Sequence, residues 1–264
     1  MPECNLKTLE EHKAYVKQMA CVSFFFASQW LKERTQEKAL GELLRDHTPL
    51  FYHTLNYPDH ETKWNNPDCL RIVKKANELK NSSAQEFEEI MYSWIKKLAM
   101  ERAERFYPTS VGVQVPPDYN AGSLKYDPPK DKLPSNYCNF HIANAVFSSS
   151  IFKDPQYLPR CFMELMDKSE KEYNYNVLHT GTWLNDESRW LALFPEEWHK
   201  NLSLGSDSTG WSFGYWGQLV TARGTFNEKA GQYVREHGKL KYKCRSSHCS
   251  FEAMRKHLSL ILKG

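Results

Sequence analysis

Apolar residues recur at helical spacing through the first hundred positions. Ser83 with Glu86 reads as a capping box, and behind it Phe87, Ile90, Met91, Trp94, Ile95 and Leu98 form one stripe. That stripe predicts a helix ended by Pro108, with Trp94 in the core. Thr8 with Glu11 predicts a first helix to about Arg34, and Gln36–Asp46 a second, shorter one. Asn66 followed by Pro67 predicts the N-cap and first turn of a third, running to about Lys80. The most apolar run, Met19 to Ala27, falls short of the roughly 20 residues a bilayer needs and reads as buried helix.

The pattern changes after Pro108. Six prolines fall between Pro108 and Pro134, and Val111, Val113 and Val115 alternate with Gly112 and Gln114 as in a short strand. Beyond this extended connection, Tyr137–Ala143 and Tyr175–Thr182 predict strands, separated by a helix that Asp154 and Pro155 open and that runs to about Tyr173. Asn185 is expected to cap a helix to Phe194, with a further short one from Pro195. Tyr215–His237 is expected to be helical and closed by Gly238; Ser250 caps a final helix with Phe251, Met254, Leu258 and Ile261 on one side. The expected fold is α+β and predominantly helical. An N-terminal helical bundle (1–107) and a Pro-rich connection (108–135) precede a mixed half (136–264) with a sheet of three or more strands, packed with the bundle.

Composition narrows the classes. A net charge of +3 without a long Lys/Arg block argues against nucleic acid or an acidic membrane as partner. Seven cysteines, an odd number with no regular framework, point to free thiols in a reducing, cytoplasmic setting. Eight tryptophans bias the reading toward an aromatic-walled pocket. No P-loop, G-x-G-x-x-G or G-x-S-x-G pattern occurs, so no nucleotide cofactor and no serine nucleophile are expected.

The chemistry-bearing residues gather after position 136. His141 and His179 sit near the ends of two strands joined by a helical crossover, which places them at one carboxyl rim if the strands are parallel neighbours. Cys244-Arg245-Ser246-Ser247-His248-Cys249 reads as a polar link before the last helix and adds a third imidazole. His141, His179 and His248 could hold a divalent metal, zinc or iron, with open positions, or act as acid and base. A closed zinc site from Cys138, His141, Cys244 and His248 or Cys249 is disfavoured, because Cys138 and His141 leave opposite faces of a regular strand. Arg223 and Arg245 are expected to bind an acidic group, with Arg160 a further candidate, and Trp183, Tyr215 and Trp216 to form walls. The structural counterpart of each is plain: hydrogen-bonded histidines, core tryptophans and a capped loop.

The order strand, helix, strand, Asn185, helix loosely resembles an acetyltransferase core. The glycine-rich pyrophosphate loop of that family does not occur between His141 and Asp154, so the resemblance carries no residue roles. The expected function is an enzyme for a small, anionic, aromatic metabolite, working through a histidine site. Its rivals are a binding or regulatory module with structural histidines and, more weakly, an acyltransferase-like core.

Overall fold

The structure is a computed structural model that describes residues 7–33, 38–57, 65–112, 120–129, 132–147, 149–206 and 209–263. In chain order the main elements are α1 (Leu9–Glu33), α2 (Leu40–Asp46), α3 (Pro67–Glu78), α4 (Ala84–Gly112), β1 (Leu124–Tyr126), β2 (Tyr137–Ile142), α5 (Tyr157–Tyr173), β3 (Val177–Thr182), α6 (Glu228–His237), β4 (Arg245–Ser250) and α7 (Phe251–Ile261). The fold is α+β and predominantly helical. Among the described residues, no helix is long and apolar enough to cross a membrane.

Contacts divide the chain into two compact units. Leu6–Gly112 groups with Asp207–Lys241, and Val113–Ser206 with Tyr242–Gly264. The segment 207–241, placed in the mixed half by its sequence position, therefore belongs with the helices.

In the helical unit the capping signals are realised. Thr8 N–H donates to Glu11 Oε2 at 2.8 Å while Glu11 N–H donates to Thr8 Oγ1 at 3.1 Å, and Asn66 Oδ1 accepts from Asp68 N–H at 2.9 Å. The α1–α4 pair buries Met19, Phe24 and Ala27 on one helix and Phe87, Met91, Ile95 and Ala99 on the other. The buried line on α4 runs at i+4 spacing, because one helix meets another along a narrow ridge. Ile90, Trp94 and Leu98 form a second column on its flank. Trp94 is 41% exposed, with the Arg71 guanidinium 5.7 Å from its ring centre, and so it is not the core residue the stripe suggested. The helix also continues past Pro108 to Gly112: a proline removes one hydrogen bond of the ladder without forbidding the turn. The expected strand at 111–115 is thus helical at 111–112, and 113–115 lie outside the described residues.

The single helix expected over Tyr215–His237 is interrupted. Short helical turns at Phe213–Trp216 and Gly217–Leu219 lead to a bridge between Val220 and Phe226, and Asn227 then caps α6. The reversal within that bridge uses Gly224 at φ +69°, which a helix cannot accommodate.

The α/β unit carries a four-stranded sheet in the order β1-β2-β3-β4. Its central pair, β2 and β3, is parallel and both edge pairs are antiparallel. Cys138 and Phe140, Leu178 and Thr180, and Ser247 and Cys249 are buried on one face. Above that face α5 and α7 contribute Phe162, Leu165, Met254 and Leu258 to the same core. Trp190, Trp198 and Phe194 complete it, with the Phe194 and Trp198 rings stacked 4.1 Å apart. Asn185 does not cap a helix. It is fully buried, donates to Thr180 O at 3.2 Å and Arg245 O at 2.8 Å, and accepts from Trp190 Nε1 at 3.0 Å, pinning β3, β4 and the core together. Glu187 provides the cap instead. The Arg245–Ser250 segment is strand β4 rather than a link between helices, because its residues alternate between buried and open positions along β3.

Two outcomes follow for the helical unit. Phe87→Ala is expected to cost about 3–5 kcal/mol and Trp94→Ala less than half of that, as read from urea midpoints. His12 is 5% exposed, and burial first and Lys7 second hold its pKa down at about 4. The folded state thus resists a proton that the unfolded chain accepts near pH 6.5, so stability is full above that value and falls toward pH 4. Moving from pH 7 to pH 5 is expected to remove about 1–2 kcal/mol through His12. In His12→Phe, which keeps a ring between Tyr15 and Tyr107, the urea midpoint should change less over that interval.

Candidate functional site

The face of the sheet turned away from α5 and α7 is polar, and register places its residues. Asn139 lies opposite His179, and His179 opposite His248, giving one row across three strands. Further along the same face, Lys125 pairs with His141 across β1 and β2, and Gly181 with Ser246 across β3 and β4. All three histidines expected to share a site therefore stand on one face, each half-buried.

A hydrogen-bonded chain orders this face. Asp127 follows β1, and its backbone is pinned by its own N–H donating to Asn139 O and by Tyr175 Oη donating to Asp127 O, both at 3.0 Å. Its carboxylate Oδ2 accepts from His141 Nε2 at 2.7 Å and from Asn139 Nδ2 at 2.9 Å. Because a carboxylate only accepts, the His141 proton on this bond sits on Nε2, and the Asn139 amide is oriented with its nitrogen toward Asp127. Asn139 Oδ1 then accepts from His179 Nδ1 at 3.1 Å, which leaves the lone pair of neutral His179 on Nε2. His179 Nε2 has no hydrogen-bond partner among the described residues. Burial first, and the charge of His248 second, push the His179 pKa below its ordinary 6.5, so the ring is a neutral base at neutral pH. The Tyr137 ring lies 6.0 Å from His179 and 5.6 Å from His248, flanking both imidazoles.

No family model, curated protein or solved structure matches this chain.

The remaining candidates are placed elsewhere. Arg245 lies three positions before His248 and so leaves β4 on the opposite side; its Nε donates to Ser203 O at 2.7 Å and its Nη1 reaches Asp186 at 3.3 Å. It ties the strand to its neighbours. Trp183 packs at the margin of the α/β core, 5.7 Å from the Tyr242 ring. Arg223, Tyr215 and Trp216 belong to the helical unit. There Arg223 pairs with Glu11 at 3.2 Å. Trp216 is fully buried, edge-on to Phe26, and donates from Nε1 to Gly210 O. Trp190 and Trp198 are likewise core residues. Arg160 is an exposed side chain on α5, 3.9 Å from Asp154.

Among the described residues, no three His, Cys, Asp or Glu side chains are grouped so as to hold a metal ion. His141 lies two positions along β2 from Asn139, the residue paired with His179, and is hydrogen-bonded to Asp127. Cys138 and Cys249 are buried on the other face, away from His141 and His248.

Asp127, Asn139, Lys125 and Gly181 were not singled out by sequence. Asn139 and His141 share the two-residue period of β2, a readable signal; Asp127 and Lys125 lie in the Pro-rich connection, where a three-residue strand leaves none.

Removing the charge of His248 should relax His179. In His248→Gln the His179 titration midpoint is expected to rise yet stay below 6.5, since burial remains the larger cause. Imidazole NMR against pH reads this directly; an unchanged midpoint would show that His248 exerts no influence.

Proposed function

We propose that this protein is an enzyme that moves a proton on a small anionic metabolite bound at the polar face of the sheet. The observation that carries the reading is the chain His141–Asp127–Asn139–His179, in which each hydrogen bond fixes the next. General base catalysis needs an unprotonated group near neutral pH, held with its lone pair available, and neutral His179 with Nε2 open meets both conditions. His141 is the second proton-transfer group, with Asp127 setting its tautomer and ring orientation as a carboxylate does beside a catalytic imidazole. Lys125 beside His141 adds positive charge suited to an anion, while the Asp127 carboxylate is already engaged.

The test is a panel of small carboxylate- and phosphate-bearing metabolites offered to wild type and His179→Gln. Turnover of at least one member is expected in wild type, with a drop of about 10²–10⁴-fold in kcat for the variant and an unchanged Tm. Equal turnover by His179→Gln would remove the base assignment. A wild-type protein that binds panel members without converting any would mark it as a binding module.

A further inference from the structure

We infer that His179 and His248 form a two-imidazole chelate for a divalent transition-metal ion such as zinc, with water completing the coordination. The inference goes beyond the proton-transfer reading and does not depend on it. The two residues are directly opposed across β3 and β4. Antiparallel pairs alternate between those that exchange backbone hydrogen bonds and those that do not. Phe251 N–H donates to Asn176 O at 2.8 Å, one step beyond the Val177–Ser250 pair. Val177–Ser250 and, two steps on, His179–His248 are therefore pairs of the second kind. The carbonyls agree: His248 O turns away from β3 to accept from Asn201 Nδ2 at 3.1 Å, and Ser246 O likewise accepts from Ser203 N–H at 2.9 Å. Pairs of this kind hold their Cα atoms about 4.5 Å apart and bring their side chains closest together. Two imidazoles so placed can each bring a nitrogen to about 2.0–2.1 Å from one ion, the usual zinc–nitrogen distance.

Both rings have a nitrogen to offer. His179 Nδ1 donates to Asn139 Oδ1, so its lone pair is on Nε2. A hydrogen bond on the far nitrogen is also what orients an imidazole that ligates a metal. The His248 ring makes no hydrogen bond among the described residues. His141 differs, because its Nε2 proton is committed to Asp127. The Tyr137 ring walls one side of the pair, while both imidazoles stay half-buried and within reach of an entering ion. Imidazole suits zinc, copper and nickel, whereas magnesium and calcium take oxygen ligands. Two protein ligands, where structural zinc has four, make a site that fills and empties with the concentration of the ion. Filling it occupies the lone pair on His179 Nε2, so the ion inhibits any reaction that uses His179 as a base.

The probe is zinc chloride, titrated into the full chain and followed by the imidazole NMR signals, with magnesium chloride as comparator. Zinc is expected to shift the His179 and His248 signals together and saturably, more than those of His141, and to raise Tm as its concentration rises. Magnesium should do neither. His248→Gln is expected to weaken zinc binding about tenfold or more, with Tm in the absence of metal unchanged. Should glutamine lower that Tm, His248→Thr, a residue that suits a strand, replaces it with the same loss expected. Zinc that moves His179 without His248, or that binds a folded His248 variant as tightly as wild type, overturns the inference. The two readings fail separately: zinc held by the pair in a protein that converts no metabolite removes the enzyme alone, and turnover lost in His179→Gln yet untouched by zinc removes the chelate alone.

Discussion

Adjacent residues of a strand leave opposite faces of the sheet, and the α/β unit depends on that alternation. Cys138, Phe140, Leu178 and Cys249 must meet α5 and α7 to bury their apolar surface, worth about 1.5–3 kcal/mol for each large side chain fully removed from water. Once they do, Asn139, His141, His179 and His248 have no choice of side. A shift of one residue in any strand would exchange the two sets and bury imidazoles among aromatic rings. The polar row is therefore held by the same free energy that holds the core. Its geometry is as rigid as the packing beneath it.

On that fixed face the side chains are not interchangeable. Asp127 is positioned by backbone bonds to β2 and to Tyr175, and it distributes its acceptor capacity between an imidazole and an amide. The polarity of each bond propagates outward until one ring nitrogen, Nε2 of His179, is left with a lone pair. Fully connected networks specify one arrangement, because turning any member around leaves a donor facing a donor or an acceptor facing an acceptor. Behind the sheet, Asn185 plays the complementary part: a buried amide joins the end of β3, the start of β4 and Trp190.

Much of the fold is legible in the sequence where local chemistry decides it. The caps at Thr8, Asn66 and Ser250 and the strands β2 and β3 follow from hydrogen-bonding side chains and from period-two patterning. Tertiary context decides the rest. Trp94 shares a helical stripe with Phe87, yet only one column of that stripe meets α1. The segment Arg245–Ser250 is polar enough to pass for a loop, because a strand at the margin of a sheet with a solvated face carries few apolar residues. The aromatic run around Trp211 and Trp216 has the composition of a pocket wall, but packing density turns Trp216 into core. Of the site, the three histidines were visible as residue types; the groups that orient them were not, because Asp127 acquires its meaning only by strand pairing.

The connectivity of the sheet also dictates an order of events. β2 meets β3 through a crossover containing one helix, whereas residues 183–244 separate β3 from β4. Closing the longer loop costs more chain entropy, so β4 is expected to pair last. Until β4 arrives, β3 is an edge strand with a row of unsatisfied amides and carbonyls, a template for strands of other molecules. The apolar Val177 and Leu178 lie at the start of that edge, and the histidine row is completed by the same pairing that covers it.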